Sequence, residues 1–161
     1  MKPFNILSKT LFITFLSLAF ITVSCKDDDK EPEVVLDDNE IVGKWKLTSA
    51  TPETAGTSIP ALATLTTLVP CAYDLVFTFE SNNKLTPSNC DLAVQGLAAA
   101  GYLTIGATTT WKVANNTLTL TNGTTTQALP LKQNGNEMTI TVNTNTGTGP
   151  AVNALLLFKR I

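Results

Sequence analysis

After residue 40 the chain alternates apolar and polar residues singly through short stretches, the period that a half-buried β-strand requires. In residues 41–48, Ile41, Gly43, Trp45 and Leu47 fall on one face and Lys44, Lys46 and Thr48 on the other. Leu75, Phe77 and Phe79 alternate with Val76, Thr78 and Glu80. The turn-forming run Ser81-Asn82-Asn83 then leads into Lys84-Leu85-Thr86, so these segments predict a hairpin. Residues 109–113 and 117–121, separated around Asn115-Asn116, and residues 124–131, entered through Asn122-Gly123, predict three further antiparallel strands; the Asn-Gly pair favours a type I′ turn. Residues 138–142 and 152–160 complete a set of eight, with Gly135 and the stretch from Gly147 to Pro150 marking the turns between them. Two connections, 51–68 and 92–103, are long and rich in Ala and Leu, and each has room for a short helix.

Eight short antiparallel strands joined in sequence predict an all-β domain, as a small up-and-down barrel; a β-sandwich shows the same alternation and remains the alternative. Composition supports strands over helices: residues 41–161 contain 24 Thr. A chain of 161 residues has room for one such core and no second domain. The formal charge of -2 is unevenly placed, since residues 26–40 hold 2 Lys against 8 Asp and Glu, whereas residues 41–161 hold 7 Lys and Arg against 5 acids. No cluster of Lys or Arg provides the electrostatic footprint of a nucleic-acid-binding protein.

The N-terminal part predicts an address. Lys2 and Lys9 precede an apolar stretch, Leu11 to Val23, too short for the roughly 20 residues of a membrane span. Residues 1–24 therefore read as a signal peptide. The stretch ends in Thr22-Val23-Ser24-Cys25, which resembles the lipobox at which bacterial lipoproteins are cleaved and acylated, with Thr22 where that motif usually has Leu, Val or Ile. The resemblance implies that Cys25 becomes a lipid-bearing N-terminus, typically carrying palmitate, whose acyl chains anchor the protein to a membrane at about 0.8 kcal/mol per buried methylene. Residues 25–40 then form an acidic, self-repelling tether, and residues 41–161 the folded domain. The abrupt run Lys26-Asp27-Asp28-Asp29 resembles the acidic tag of Gram-negative surface lipoproteins, implying the outer membrane and its exposed face; a periplasm-facing anchor is the alternative. The spacing of these acids does not fit a calcium loop.

With Cys25 assigned to lipid, Cys71 and Cys90 remain as an even pair in a compartment where disulfides persist, and a bond between them is expected to add about 3 kcal/mol. The chain has no His, so neither a zinc centre of the usual ligand set nor the commonest general base is available. No phosphate-cradling Gly loop, nucleophile elbow or cofactor motif is present. Asp74 and Glu80 are the best carboxylate pair, but six residues along one strand separate them by roughly 20 Å at about 3.3 Å per residue. They read as solvated surface charge, and the chain is expected not to be an enzyme.

Gly43-x-Trp45 on the first strand, Cys71 followed by Asp74, Phe77-x-Phe79, Cys90, the Trp111 strand and the closing Leu157-Phe158-Lys159-Arg160 form an ordered series. It resembles the lipocalin-like domain of bacterial surface lipoproteins over residues 41–161. The resemblance implies that Trp45 plugs one barrel end, that Arg160 packs over it, and that Gly43 permits the close approach. It further implies a cavity for a small apolar or amphipathic ligand, with Trp45, Phe77, Phe79, Trp111, Leu118, Leu120, Ile140, Leu156 and Phe158 as its lining and residues 59–69 and 92–103 as a lid. In a barrel this small the same nine side chains can instead fill the interior. The alternative function is then a non-catalytic structural or interaction module of the cell envelope.

Overall fold

The computed structural model describes residues 39–161, so the expected lipid anchor at Cys25 and most of the acidic tether lie outside the described residues. Eight strands form: β1 (Gly43–Pro52), β2 (Val76–Phe79), β3 (Leu85–Ser88), β4 (Thr110–Ala114), β5 (Thr117–Asn122), β6 (Thr125–Asn134), β7 (Glu137–Asn143) and β8 (Asn153–Arg160). Three short helices interrupt them: α1 (Pro60–Ala63), α2 (Leu65–Leu68) and α3 (Asp91–Ala99). A 3-10 turn, Ala72–Asp74, leads into β2.

Hydrogen-bonded neighbours run β3-β2-β1-β8-β7-β6-β5-β4, and each adjacent pair is antiparallel. The ladder returns on itself where β3 meets β4. There the bridge of Lys84 with Thr110 is flanked by bonds from Leu85 N–H to the Thr109 carbonyl (2.9 Å) and from Trp111 N–H to the Asn83 carbonyl (2.8 Å). Each strand thus neighbours its sequence neighbours and the first pairs with the last, which is an up-and-down barrel; the sandwich alternative is set aside. Buried residues recur at every second position through the middle of β5, β7 and β8, and the buried set faces the interior.

Local sequence explains the irregularities. Between Leu47 and Ser49 the β1 to β8 register shifts by one residue. The extra residue, Thr48, makes Ala50 rather than Ser49 the next inward residue after Leu47, and β1 continues to Pro52 instead of ending at Thr48. The turn of Asn115-Asn116 has positive φ at both residues (49° and 57°), as type I′ requires. The expected type I′ turn at Asn122-Gly123 is different: Asn122 ends β5, and Gly123 (φ 59°) is the first of the two loop residues, the positive-φ position of a II′ turn.

β6 and β7 pair only from Leu131 with Ile140 to Asn134 with Glu137, although both continue past that point. Leu131 N–H donates to the Asn116 carbonyl on the β5 side (2.8 Å), so the preceding nitrogen, that of Pro130, faces β7 and has no hydrogen to give. The two strands part there.

The β3 to β4 seam is the thinnest part of the ring. Hydrogen exchange followed by NMR should show the amides of Leu85 and Trp111 exchanging at least about tenfold faster than those of the β7 to β8 ladder. Equal protection would mean that the ring is closed as firmly there as elsewhere.

Candidate functional site

The two ends of the barrel differ. At the end where β1 begins, Trp45 is fully buried and its indole N–H donates to the Ile41 carbonyl (2.7 Å). The Arg160 guanidinium lies over the Trp45 ring, 4.4 Å from its centroid, and donates to the carbonyls of Val42 (2.7 Å) and Glu40. Such a stack contributes about 1 kcal/mol beyond the area it buries. Gly43, between them, has φ of +134°, and a Cβ there would sit 2.6 Å from Arg160 Nη1. No other residue type fits without strain.

Above this plug the interior is solid. Phe77 stacks on Phe158 at 5.1 Å and meets Phe79 edge-on, and Phe79 meets Trp111 edge-on at 5.6 Å. Leu118, Leu120 and Ile140 are buried in the same cluster. Of the nine side chains expected to line a cavity, only Leu156 and Phe158 do so; Trp45, Phe77, Phe79, Trp111, Leu118, Leu120 and Ile140 fill the core instead. Large rings in mutual contact leave no room at that level.

The open space is higher up, toward the end where β1 finishes. β2 and β3 are four residues each and do not reach that end, so α1, α2 and α3 supply the missing wall. Between these helices and β1, β7 and β8 lies an open-mouthed cavity of about 240 Å³. Leu47, Ala50, Val142 and Leu156 form its strand side, and Leu62, Leu65 and Leu97 its helical side. The expected lid segments thus line the cavity itself. Three polar side chains reach it: Thr64, Thr144 and Tyr102. The first two hydroxyls are spent on backbone carbonyls, those of Pro60 (3.2 Å) and Val152 (2.8 Å). No Asp, Glu, Lys or Arg lines the space.

Two covalent or conformational devices hold the helical wall. Cys71 and Cys90 are bonded, which joins the segment after α2 to the residue that caps α3. At its other end α3 closes in a Schellman motif: Tyr102 N–H reaches the Leu97 carbonyl (2.9 Å), Gly101 N–H reaches the Ala98 carbonyl (3.0 Å), and Gly101 takes φ of +71°. This turn places Tyr102 at the cavity, and Gln127 fixes the segment by accepting from Thr104 N–H (2.7 Å) and donating to the Tyr102 carbonyl (3.4 Å). Ala50 lies outside every segment expected at the site, and Leu97 and Tyr102 were expected there only as parts of the lid. The Gly following an Ala-rich run is the sequence signal for the capped turn.

Asp74 and Glu80 are otherwise engaged. Asp74 pairs with Lys46 at 2.9 Å on the surface, and Glu80 accepts from Thr86 (2.8 Å) and Asn82 (3.2 Å). Among the described residues no group of three or more His, Cys, Asp or Glu side chains is placed to hold a metal ion.

The sequence model of the family described as lipocalin-like domain matches residues 41–148. The chain belongs to that family. The match begins just before the Gly43-x-Trp45 strand and ends in the β7 to β8 connection, so β8, which carries Arg160, completes the lipocalin-like barrel from beyond the matched segment. Comparisons with curated proteins and with solved structures return no significant match. A lipocalin-like barrel fits ligand binding in general, and this one is plugged at one end and hollow toward the other.

Replacing Gly43 by Ala forces an L side chain into a positive-φ position against the Arg160 guanidinium and should cost about 2 kcal/mol. A thermal melt should fall by roughly 10 °C, at about 5 °C per kcal/mol for a domain of this size; an unchanged melt would show that the Arg160 seat is not tight. Serine at both Cys71 and Cys90 should cost about 3 kcal/mol. Its added amide exchange should be confined to residues 54–75 and 89–104, and exchange rising instead in β5 to β8 would place the disulfide's role in the barrel itself.

Proposed function

We propose that this lipocalin-like barrel holds a small apolar or amphipathic ligand in the cavity between its helical wall and β1, β7 and β8. The observation that carries the reading is chemical: about 240 Å³ of space lined by Leu, Ala, Val and Phe side chains, with no charged group. Sites of this kind gain affinity by removing apolar surface from water, about 25 cal/mol per Å². The protein acts as a carrier or sensor and not as a catalyst, because the residues around the space offer no nucleophile paired with a base and no carboxylate pair. Acylation at Cys25, with the acidic run after it, holds the barrel at the outer membrane, displayed on the cell surface.

A second reading, a docking module of the envelope, is supported by Leu68 and Leu92, which are 71% and 56% exposed on α2 and α3. Leu68 also lines the cavity, where an exposed leucine serves a ligand's approach as well as a partner's contact.

Titration with the uncharged fluorophore N-phenyl-1-naphthylamine tests the carrier reading. The purified protein should enhance its emission with micromolar affinity. Ala50→Phe, which places a ring in the cavity from β1, should weaken binding by at least about tenfold, a loss of roughly 1.4 kcal/mol, while circular dichroism stays unchanged. No enhancement, or equal binding by the variant, would remove this cavity as the site.

A further inference from the structure

Tyr102 borders a second space as well as the apolar cavity. Where β6 and β7 part above Leu131 and Ile140, a lateral cleft of about 360 Å³ opens between them. Its lining is of another character: Asn143, Asn145, Asn153, Gln127 and Thr141 supply amides and a hydroxyl, and no Asp, Glu, Lys or Arg lines it. Gln127 and Asn145 spend both ends of their amides on backbone groups, Asn153 donates to Glu53 and Asn143 Oδ1 accepts from two backbone N–H groups, which leaves the Asn143 Nδ2 donor, the Asn153 Oδ1 acceptor and the Thr141 hydroxyl for a ligand. Along β7 the division follows strand alternation, with Val142 and Thr144 on the apolar side and Thr141 and Asn143 on the cleft side. Tyr102 stands between the two spaces, and its hydroxyl makes no hydrogen bond among the described residues. Tyr102 thus borders both an oily space and an amide-lined one, and its hydroxyl is a donor and acceptor left over by the protein.

We propose that the cavity and the cleft form one bipartite site for a single-chain amphiphile with an uncharged, hydroxyl-rich head, the chain lying in the cavity, the head in the cleft and the Tyr102 hydroxyl bonding the linkage between them. This rests on the carrier reading above and adds the class of ligand. Amides and hydroxyls match an uncharged polyol or sugar by donating and accepting in turn. An ionised carboxylate or phosphate would find no cation there and would lose its hydration uncompensated. The cavity also limits chain length: with a water's share of liquid, about 30 Å³, as the yardstick for a methylene, 240 Å³ takes about eight such groups. A medium chain fits. The parting of β6 from β7 at Pro130 then has a use, since a closed ladder would leave the head nowhere to sit.

The test is displacement of N-phenyl-1-naphthylamine by three ligands sharing one chain: 1-decanoylglycerol, methyl decanoate and decanoate, each below its aggregation threshold. The glycerol ester should displace the probe at a concentration at least about tenfold lower than either competitor. Ala128→Trp, which fills the cleft from an exposed position on β6, should bring the glycerol ester to within about twofold of the methyl ester, whereas Tyr102→Phe, which removes the hydroxyl that bonds the ester linkage common to both, should weaken both esters by at least about threefold and leave their ratio unchanged. In Ala128→Trp, binding of the probe and of methyl decanoate should stay as in the unaltered protein, which also reports that this variant is folded; circular dichroism reports the fold of Tyr102→Phe. Equal displacement by glycerol and methyl esters, or by decanoate, would overturn the bipartite site while leaving the apolar cavity a carrier. Failure of the probe itself to bind would overturn both.

Discussion

A strand of four residues spans roughly 13 Å at about 3.3 Å per residue, whereas β1, at ten residues, spans about 33 Å. β2 and β3 therefore cannot line this barrel from end to end, and much of the remaining organisation follows. The lower part, where all strands are present, is narrow enough for Trp45, the phenylalanines and Trp111 to fill it. The upper part lacks two strands' worth of wall, and one-turn helices with a nine-residue helix stand in their place. Helices of four residues have no intrinsic stability of their own. They persist through packing on Leu47, Leu75 and Phe158 and through the Cys71 to Cys90 bond, which fastens one half of the wall to the other.

The division between a filled half and a hollow half also divides the labour of the sequence. Gly43, Trp45 and Arg160 seal the end at which the chain enters and leaves, joining first strand to last. Every Lys and Arg of the domain lies on a strand or in the β2 to β3 turn, and residues 54–73 and 92–111 contain no charged residue at all. The helical end is consequently the apolar end. Its polar groups are Thr hydroxyls turned to their own backbone and the amides of the cleft beside β7.

Much of the fold was legible because single-residue alternation is a direct consequence of pleating: all eight strands and the turn clusters follow from pattern, and the Cys71 to Cys90 bond from their being the pair left once Cys25 is set aside. The closing of the first strand onto the last was implied by the family resemblance, since alternation fits a sandwich equally well. The site was less legible. Aromatic residues on inward faces mark the interior, but alternation says nothing about whether facing side chains touch, and here they do. Ala50 reads as outward-facing until the bulge at Thr48 is known. Pro130 inside a predicted strand is a local sign that one edge cannot pair, yet which edge depends on the direction of the Leu131 amide. Tyr102 sits where the capped turn after α3 puts it, a position set by Gly101 and by Gln127 from a distant strand.

The central claim, an apolar hollow confined to the upper half of a plugged barrel, is tested most directly by crystals pressurised with xenon, which enters apolar cavities without polar recognition. Xenon density is expected among Leu47, Leu97, Leu156 and Phe158 and none between Trp45, Phe79 and Trp111. Density at the lower level, or none beside the helices, would contradict it.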